Sequence, residues 1–132
     1  MTTLIVCLMA ATATPSQGLP DRLGRTVAAI WGVESSYRLS PPDGDAGASV
    51  GPLQIQMGVV VDVNRRYGTH FTSQDRRDLS KSIGIFVRYC MMYEPDGGPE
   101  QWSRIWCGGP DGPRQDCTLP YWARVKLHLD RQ

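Results

Sequence analysis

Thr26-Val27-Ala28-Ala29-Ile30-Trp31-Gly32-Val33-Glu34-Ser35-Ser36-Tyr37 is followed, after a Pro/Gly/Asp loop, by Gly47-Ala48-Ser49-Val50-Gly51-Pro52-Leu53-Gln54-Ile55. Leu23, Val27, Ile30 and Trp31 fall at helical steps of three and four and form one apolar stripe. The next position on that stripe is Glu34, a carboxylate where the pattern asks for an apolar side chain. A carboxylate drawn into an apolar site without a cationic partner tends to keep its proton to higher pH. A protonated carboxyl in a half-dry site is what a general acid needs near neutrality. Taken alone, a helical Glu reads as a solvated or salt-bridged group. The loop after it changes the weighing, because small residues let backbone amides approach the carboxyl and line a groove.

Outward from this stretch, the helix is expected to start with Asp21 as its N-cap and to end near Tyr37 to Leu39, since Pro41-Pro42 cannot continue it. Pro42-Asp43-Gly44-Asp45-Ala46-Gly47 is a turn cluster. A second helix is expected from about Leu53 or Ile55 to Tyr67, buried along Val59, Val60 and Val63 and stopped by Gly68. Thr72-Ser73-Gln74-Asp75 offers a cap for a short helix, and Ser80 or Ser82 a cap for the apolar segment from Ile83 to Tyr93. That segment reads as a central helix, with Gly84 admitting a close backbone neighbour and Met91-Met92 as core. Two further helices are expected, one from Glu100 to Trp106 and one from Leu119 to about Leu129.

A chain of 132 residues is large enough for one domain with its own core. Its 14 Lys and Arg against 13 Asp and Glu leave no long-range field, so no nucleic-acid partner is expected. No apolar run has the length to cross a bilayer, so no stable membrane insertion is expected either. The apolar stretch from Leu4 to Ala11, with Ala11-Thr12-Ala13 as a small-x-small site, resembles the tail of a secretory signal. Residues 1–18 thus read as a signal peptide or a flexible N-terminal arm, and residues 19–132 as the domain, exported to the periplasm or beyond. Cys7 is too near the start to read as a lipidation site. Cys107 and Cys117 bracket a Gly/Pro-rich loop, and a disulfide between them is expected to contribute about 2–3 kcal/mol through the unfolded chain. Cys90 reads as a buried thiol. Neither the cysteines nor His70 and His128 have metal-site spacing, so no metal and no cofactor are expected.

Glu34-Ser35-Ser36 followed by Gly47-Ala48-Ser49-Val50-Gly51-Pro52-Leu53-Gln54-Ile55 resembles the Glu-Ser … Gly-Ala-x-Gly-Leu-Met-Gln-Ile signature of the lytic transglycosylase family, in the lysozyme-like superfamily. Val50 reads as an inserted residue, and Pro52-Leu53 replaces Leu-Met. Ile105-Trp106-Cys107-Gly108-Gly109-Pro110 is similar to the family's Ala-Tyr-Asn-x-Gly-Pro stretch. Tyr121-Trp122-Ala123-Arg124-Val125 is similar to its late Tyr-Val-x-x-Val helix, and Asp78-Leu79-Ser80-Lys81-Ser82-Ile83-Gly84 stands where it has Asn-Ile-x-x-Gly. The ordered matches cover about residues 22–127.

The resemblance implies a mainly α, single lysozyme-like helical domain whose loop-rich side, with or without a small β-hairpin, forms a cleft. It implies a monomer acting on peptidoglycan glycan strands, with Glu34 as the one catalytic carboxylate. Gln54, Tyr121, Trp106, Ser49 and Ile55 are the implied substrate-binding residues. Bracing of the loop by Gln54 and a purely structural role for Tyr121 stay open beside these. Trp106 replaces a family tyrosine and Cys107 an asparagine, while Gln56 falls where an apolar residue is usual. Asp45 and Asp43 are candidates for a second carboxylate, against a plain reading as solvated turn residues. Three functions follow: a lytic transglycosylase, a muramidase or chitinase-like hydrolase, or a catalytically silent module that binds glycan or protein.

Overall fold

A computed structural model describes residues 18–132. The expectations for the leader, including its cleavage site and Cys7, lie outside the described residues. The described chain is a mainly α-helical single domain, with five α-helices linked by 3-10 turns and no strand among the described residues.

Helix α1 spans Leu19–Ser35 and starts earlier than the Asp21 cap would place it. Pro20 sits in the first turn, where its preset φ and missing N–H cost nothing, and Asp21 follows inside that turn. The helix ends at Ser36, whose φ of 52° is left-handed, and Tyr37 continues with φ 61°. Such values cost L-residues about 1 kcal/mol or more each and need local compensation. Here the Tyr37 ring packs edge-on against Trp31 at 5.5 Å, and its hydroxyl is hydrogen-bonded to His128 Nδ1 at 3.0 Å. A Cβ on Gly32 would lie 2.6 Å from both the tyrosine ring and that histidine, so a side chain there would displace the pair. The buried Ser35 hydroxyl donates to Pro52 O at 2.9 Å and ties the end of α1 to the following loop.

The expected second helix starts later than the sequence suggests: α2 is Met57–Tyr67, closed by Gly68 at φ 64°. Its would-be first turn is a tight turn in which Val50 and Ile55 exchange backbone hydrogen bonds of 3.2 and 2.9 Å. A second turn is closed in the same way between Gly44 and Ser49. These two bridged turns take the place of a hairpin. Helix α2 cannot begin at Leu53 because Gln54 takes φ 52°, in a turn packed against a distant segment: Gly51 has φ 80°, and a Cβ there would stand 1.8 Å from the Arg76 carbonyl oxygen. The turn also drives Leu53 and Ile55 into the core, where both are fully buried.

Helix α3 (Leu79–Tyr93) packs against α1, α2 and α4 and carries the buried Ile85, Phe86, Tyr89 and Cys90. Its cap is neither Ser80 nor Ser82 but Asp78, which accepts from Lys81 N at 2.8 Å. Ser82 is buried and donates to Arg76 O at 2.9 Å instead. Among the described residues no backbone passes close at Gly84; the Arg88 guanidinium folds over it and donates to its carbonyl at 3.0 Å. Helix α4 (Pro99–Gly108) places the buried Trp102 and Ile105 in the core, and α5 (Leu119–Asp130) lies along α1 through Val125.

The expected Cys107–Cys117 disulfide is absent: both thiols are free and exposed, and Cys90 is a buried thiol. The intervening loop is held by other means. The buried Arg104 donates to Thr118 Oγ1 at 2.8 Å and Gln115 O at 3.1 Å, and Thr118 Oγ1 donates to Gly112 O at 2.7 Å. A cation bonded to one loop carbonyl and to a hydroxyl that itself holds another rigidifies the segment without a covalent link.

Candidate active site

The C-terminal ends of α1 and α4, the 47–55 wall and the head of α5 enclose a cleft of about 410 Å³. Glu34, Tyr121, Trp106 and Cys107 line it together with Asp45, Ser49, Gln54, Ile55 and Gln56. Val59, Tyr89, Gly108 and Gly109 complete the lining.

Glu34 is half-buried, with its Oε1 accepting a hydrogen bond from the Tyr121 hydroxyl at 2.7 Å. Burial pushes its carboxyl above the ordinary range. The Tyr121 hydrogen bond and the Arg124 charge pull it back in part, while the Asp45 charge adds to the rise. Desolvation and the neighbouring Glu34 charge keep the Tyr121 phenol protonated far above neutrality, so it stays a donor. The apolar stripe of α1 therefore delivers Glu34 to a half-dry site, as its helical register predicts.

The other residues named from sequence divide. Trp106 lines the cleft, donates its indole N–H to Leu53 O at 3.3 Å and stands edge-on to Phe86 and Tyr89. Its ring is thereby fixed against the wall. Gln54 lines the cleft with φ 52°, but its Nε2 donates to Gly51 O at 3.0 Å and Pro42 O at 3.3 Å. The loop-bracing reading of Gln54 thus has a direct geometric basis. Ser49 is buried and donates to Asp45 Oδ2 at 2.5 Å, while Gln56 Nε2 donates to Ser49 Oγ at 3.4 Å. Ile55 is buried and contributes an apolar edge.

The two acidic candidates separate cleanly. Asp45 faces the cleft, whereas Asp43 does not line it and is bound bidentately by Arg77 at 2.9 and 3.1 Å. That pairing holds the Asp43 carboxyl below its ordinary range. Cys107 faces the cleft wall, where desolvation and the Glu34 charge push its thiol up, so it is not a thiolate nucleophile at neutral pH. Among the described residues no group of three or more His, Cys, Asp or Glu could hold a metal ion.

Three contributors were not singled out from sequence. Tyr89 lies on an apolar helix that carries no chemical signal. Arg76 is buried and donates to Ile55 O at 2.9 Å and Ala48 O at 3.3 Å, which secures the wall from behind. Arg124 sits one helical step after Tyr121, a spacing that puts both on one side of α5 and could have flagged it. No family model matches the chain, and no curated protein matches it.

Proposed function

We propose that the chain is a peptidoglycan-cleaving enzyme, a lytic transglycosylase cutting the β-1,4 bond between N-acetylmuramic acid and N-acetylglucosamine with Glu34 as its only acid/base. The observation that carries this reading is a half-buried carboxyl in a cleft, raised by desolvation and held through one oxygen by the neutral Tyr121 hydroxyl. With Oε1 so engaged, Oε2 is left to carry the proton toward a glycosidic oxygen. After bond cleavage the carboxylate takes the proton of the sugar's own 6-hydroxyl, which closes a 1,6-anhydro ring. The substrate's acetamido group assists, so no protein nucleophile is required. The cleft supports sugar binding with the aromatic ring of Trp106, which lines it. The ordered sequence resemblance supports the same substrate, and the leader-like start of the chain fits work outside the cytoplasm.

A second reading has its own support: Asp45 lines the same cleft, and its carboxylate is held by Ser49. A carboxylate opposite a general acid can activate water, which would make the reaction hydrolysis. Digestion of purified peptidoglycan followed by mass analysis separates the two. Anhydromuropeptides, one water lighter, mark the transglycosylase; reducing ends mark the hydrolase. An intact glycan after incubation with folded protein rejects both.

A further inference from the structure

The cleft is lined by two carboxylates, Glu34 and Asp45, and by no Lys, Arg or His among the described residues. One cation nevertheless stands beside it. Arg124 lies one step along α5 from Tyr121, and its Nη2 donates to the carbonyl of Val33, the residue before Glu34, at 3.4 Å. That long contact is the one hydrogen bond its side chain makes among the described residues, and it occupies one of five guanidinium donors. Arg77, Lys81, Arg104 and Arg114 are each paired with a carboxylate, whereas Arg124 is exposed with no carboxylate in ion-pair distance among the described residues. Its fork is therefore largely free, outside the residues that line the cleft but near enough to Glu34 for its charge to act on that carboxyl, and it touches the main chain that carries the general acid.

We propose that Arg124 is the subsite for a carboxylate carried by the muramoyl arm of the substrate, gripped as the glycosidic bond reaches Glu34. This rests on the proposed function, because that function supplies a sugar whose side arm ends in a carboxylate or in an acidic peptide. The arm is attached to the same ring whose anomeric carbon is cut, so its lactyl carboxyl lies within about one sugar ring of the acid, and any stem carboxylate lies further along the same arm. A guanidinium fork matches a carboxylate in a two-bond geometry that a neutral sugar cannot offer. Occupancy also feeds back on the chemistry. Arg124 is the cation that draws Glu34 toward ionisation, and a carboxylate seated on it cancels that pull and favours the protonated acid. The anion can be the free lactyl carboxylate of a stripped glycan or an acidic group of the peptide stem.

The test measures binding by calorimetry in a Glu34→Gln background, which prevents turnover, with and without Arg124→Gln. The probes are chitotetraose, a peptide-free GlcNAc-MurNAc tetrasaccharide, and the same tetrasaccharide bearing peptide stems. Arg124→Gln is expected to weaken an anionic probe about tenfold, to flatten the salt dependence of its binding, and to leave chitotetraose unchanged. Loss on the peptide-free glycan identifies the lactyl carboxylate, and loss on the stem-bearing glycan alone identifies the stem. Equal weakening of all three probes would assign Arg124 to support of the Val33 backbone and overturn the subsite, as would no change on any. Arg124→Lys, which keeps charge without the fork, is expected to recover part of the affinity. Wild-type protein that cuts glycan while Arg124→Gln binds normally removes the subsite alone. Protein that neither binds nor cuts any muramoyl glycan removes the proposed function together with it.

Discussion

Replacing Arg76 by Met keeps the length and much of the volume of the stem while deleting the guanidinium. Arg76 donates to Ile55 O at 2.9 Å, Ala48 O at 3.3 Å, Ser73 O at 3.0 Å and Ser73 Oγ at 2.7 Å. The two bonds to Ser73 are local and lie beside an exposed residue, so their net worth is small. The two to the wall span the 48–55 turn and are worth about 1 kcal/mol each net, since Ile55 O keeps Val50 N as a second partner. Against them stands the burial of a cation that lacks any carboxylate in ion-pair distance among the described residues, which holds its guanidinium below the ordinary range. Removing such a group returns part of that desolvation. The balance is a loss of about 1–2 kcal/mol, read as a lower urea midpoint at constant m-value. The local consequence is sharper, because the Val50 and Ile55 amides bond each other across the turn that Arg76 secures. Their hydrogen exchange should accelerate well beyond that of α3, and KM for glycan should rise with little change in kcat. A variant as stable as wild type, with Val50 and Ile55 exchange unchanged, would refute the assignment of Arg76 as the support of the cleft wall.

Three further outcomes follow from the same geometry. Glu34→Gln should abolish cleavage yet melt at a higher temperature than wild type at neutral pH. The folded carboxyl has a raised pKa, so the wild type's stability is fully present below the ordinary value of 4.5 and falls as pH rises toward the folded one. The melting advantage should therefore vanish in acid, and an advantage indifferent to pH would contradict a half-dry Glu34. Tyr121→Phe removes a hydrogen bond that favours the carboxylate, so the alkaline limb of the pH–rate profile should move to higher pH while the maximal rate falls; a shift toward acid would reject that role. Thiol alkylation followed by intact mass should modify Cys107 and Cys117 in the native protein, with Cys107 slow until the pH is well above neutral, and Cys90 only after unfolding. Native protein that takes up no label at Cys107 and Cys117 would contradict the free thiols.

How much of this was legible along the chain depends on the range of the forces involved. The α1 stripe, the stop at Gly68, the apolar α3 and the α5 span are governed by neighbours within one or two turns, and periodicity reveals them. Placing Glu34 on the buried stripe belongs to the same class of inference, since a helix projects residues four apart onto one face. The start of α2 was not readable, because Gln54 takes φ 52° in a turn whose Gly51 is pressed against Arg76 O, a contact across 25 positions of sequence. The cap at Asp78 was missed for a related reason: Ser82 is claimed by the Arg76 carbonyl and is not available to cap.

The linear chain by itself determined a helical domain with a carboxylate on its first buried stripe and a glycine-rich loop beside it. Only the tertiary structure decided which acid faces that carboxylate. Asp43 and Asp45 are two residues apart in one turn cluster, yet Arg77 draws the first away and Ser49 holds the second in the cleft. Tertiary packing likewise decided that Arg104 and Thr118, rather than a sulfur bridge, hold the 109–117 loop. Such choices depend on which distant donor reaches a given oxygen first, and composition and periodicity carry no record of that distance.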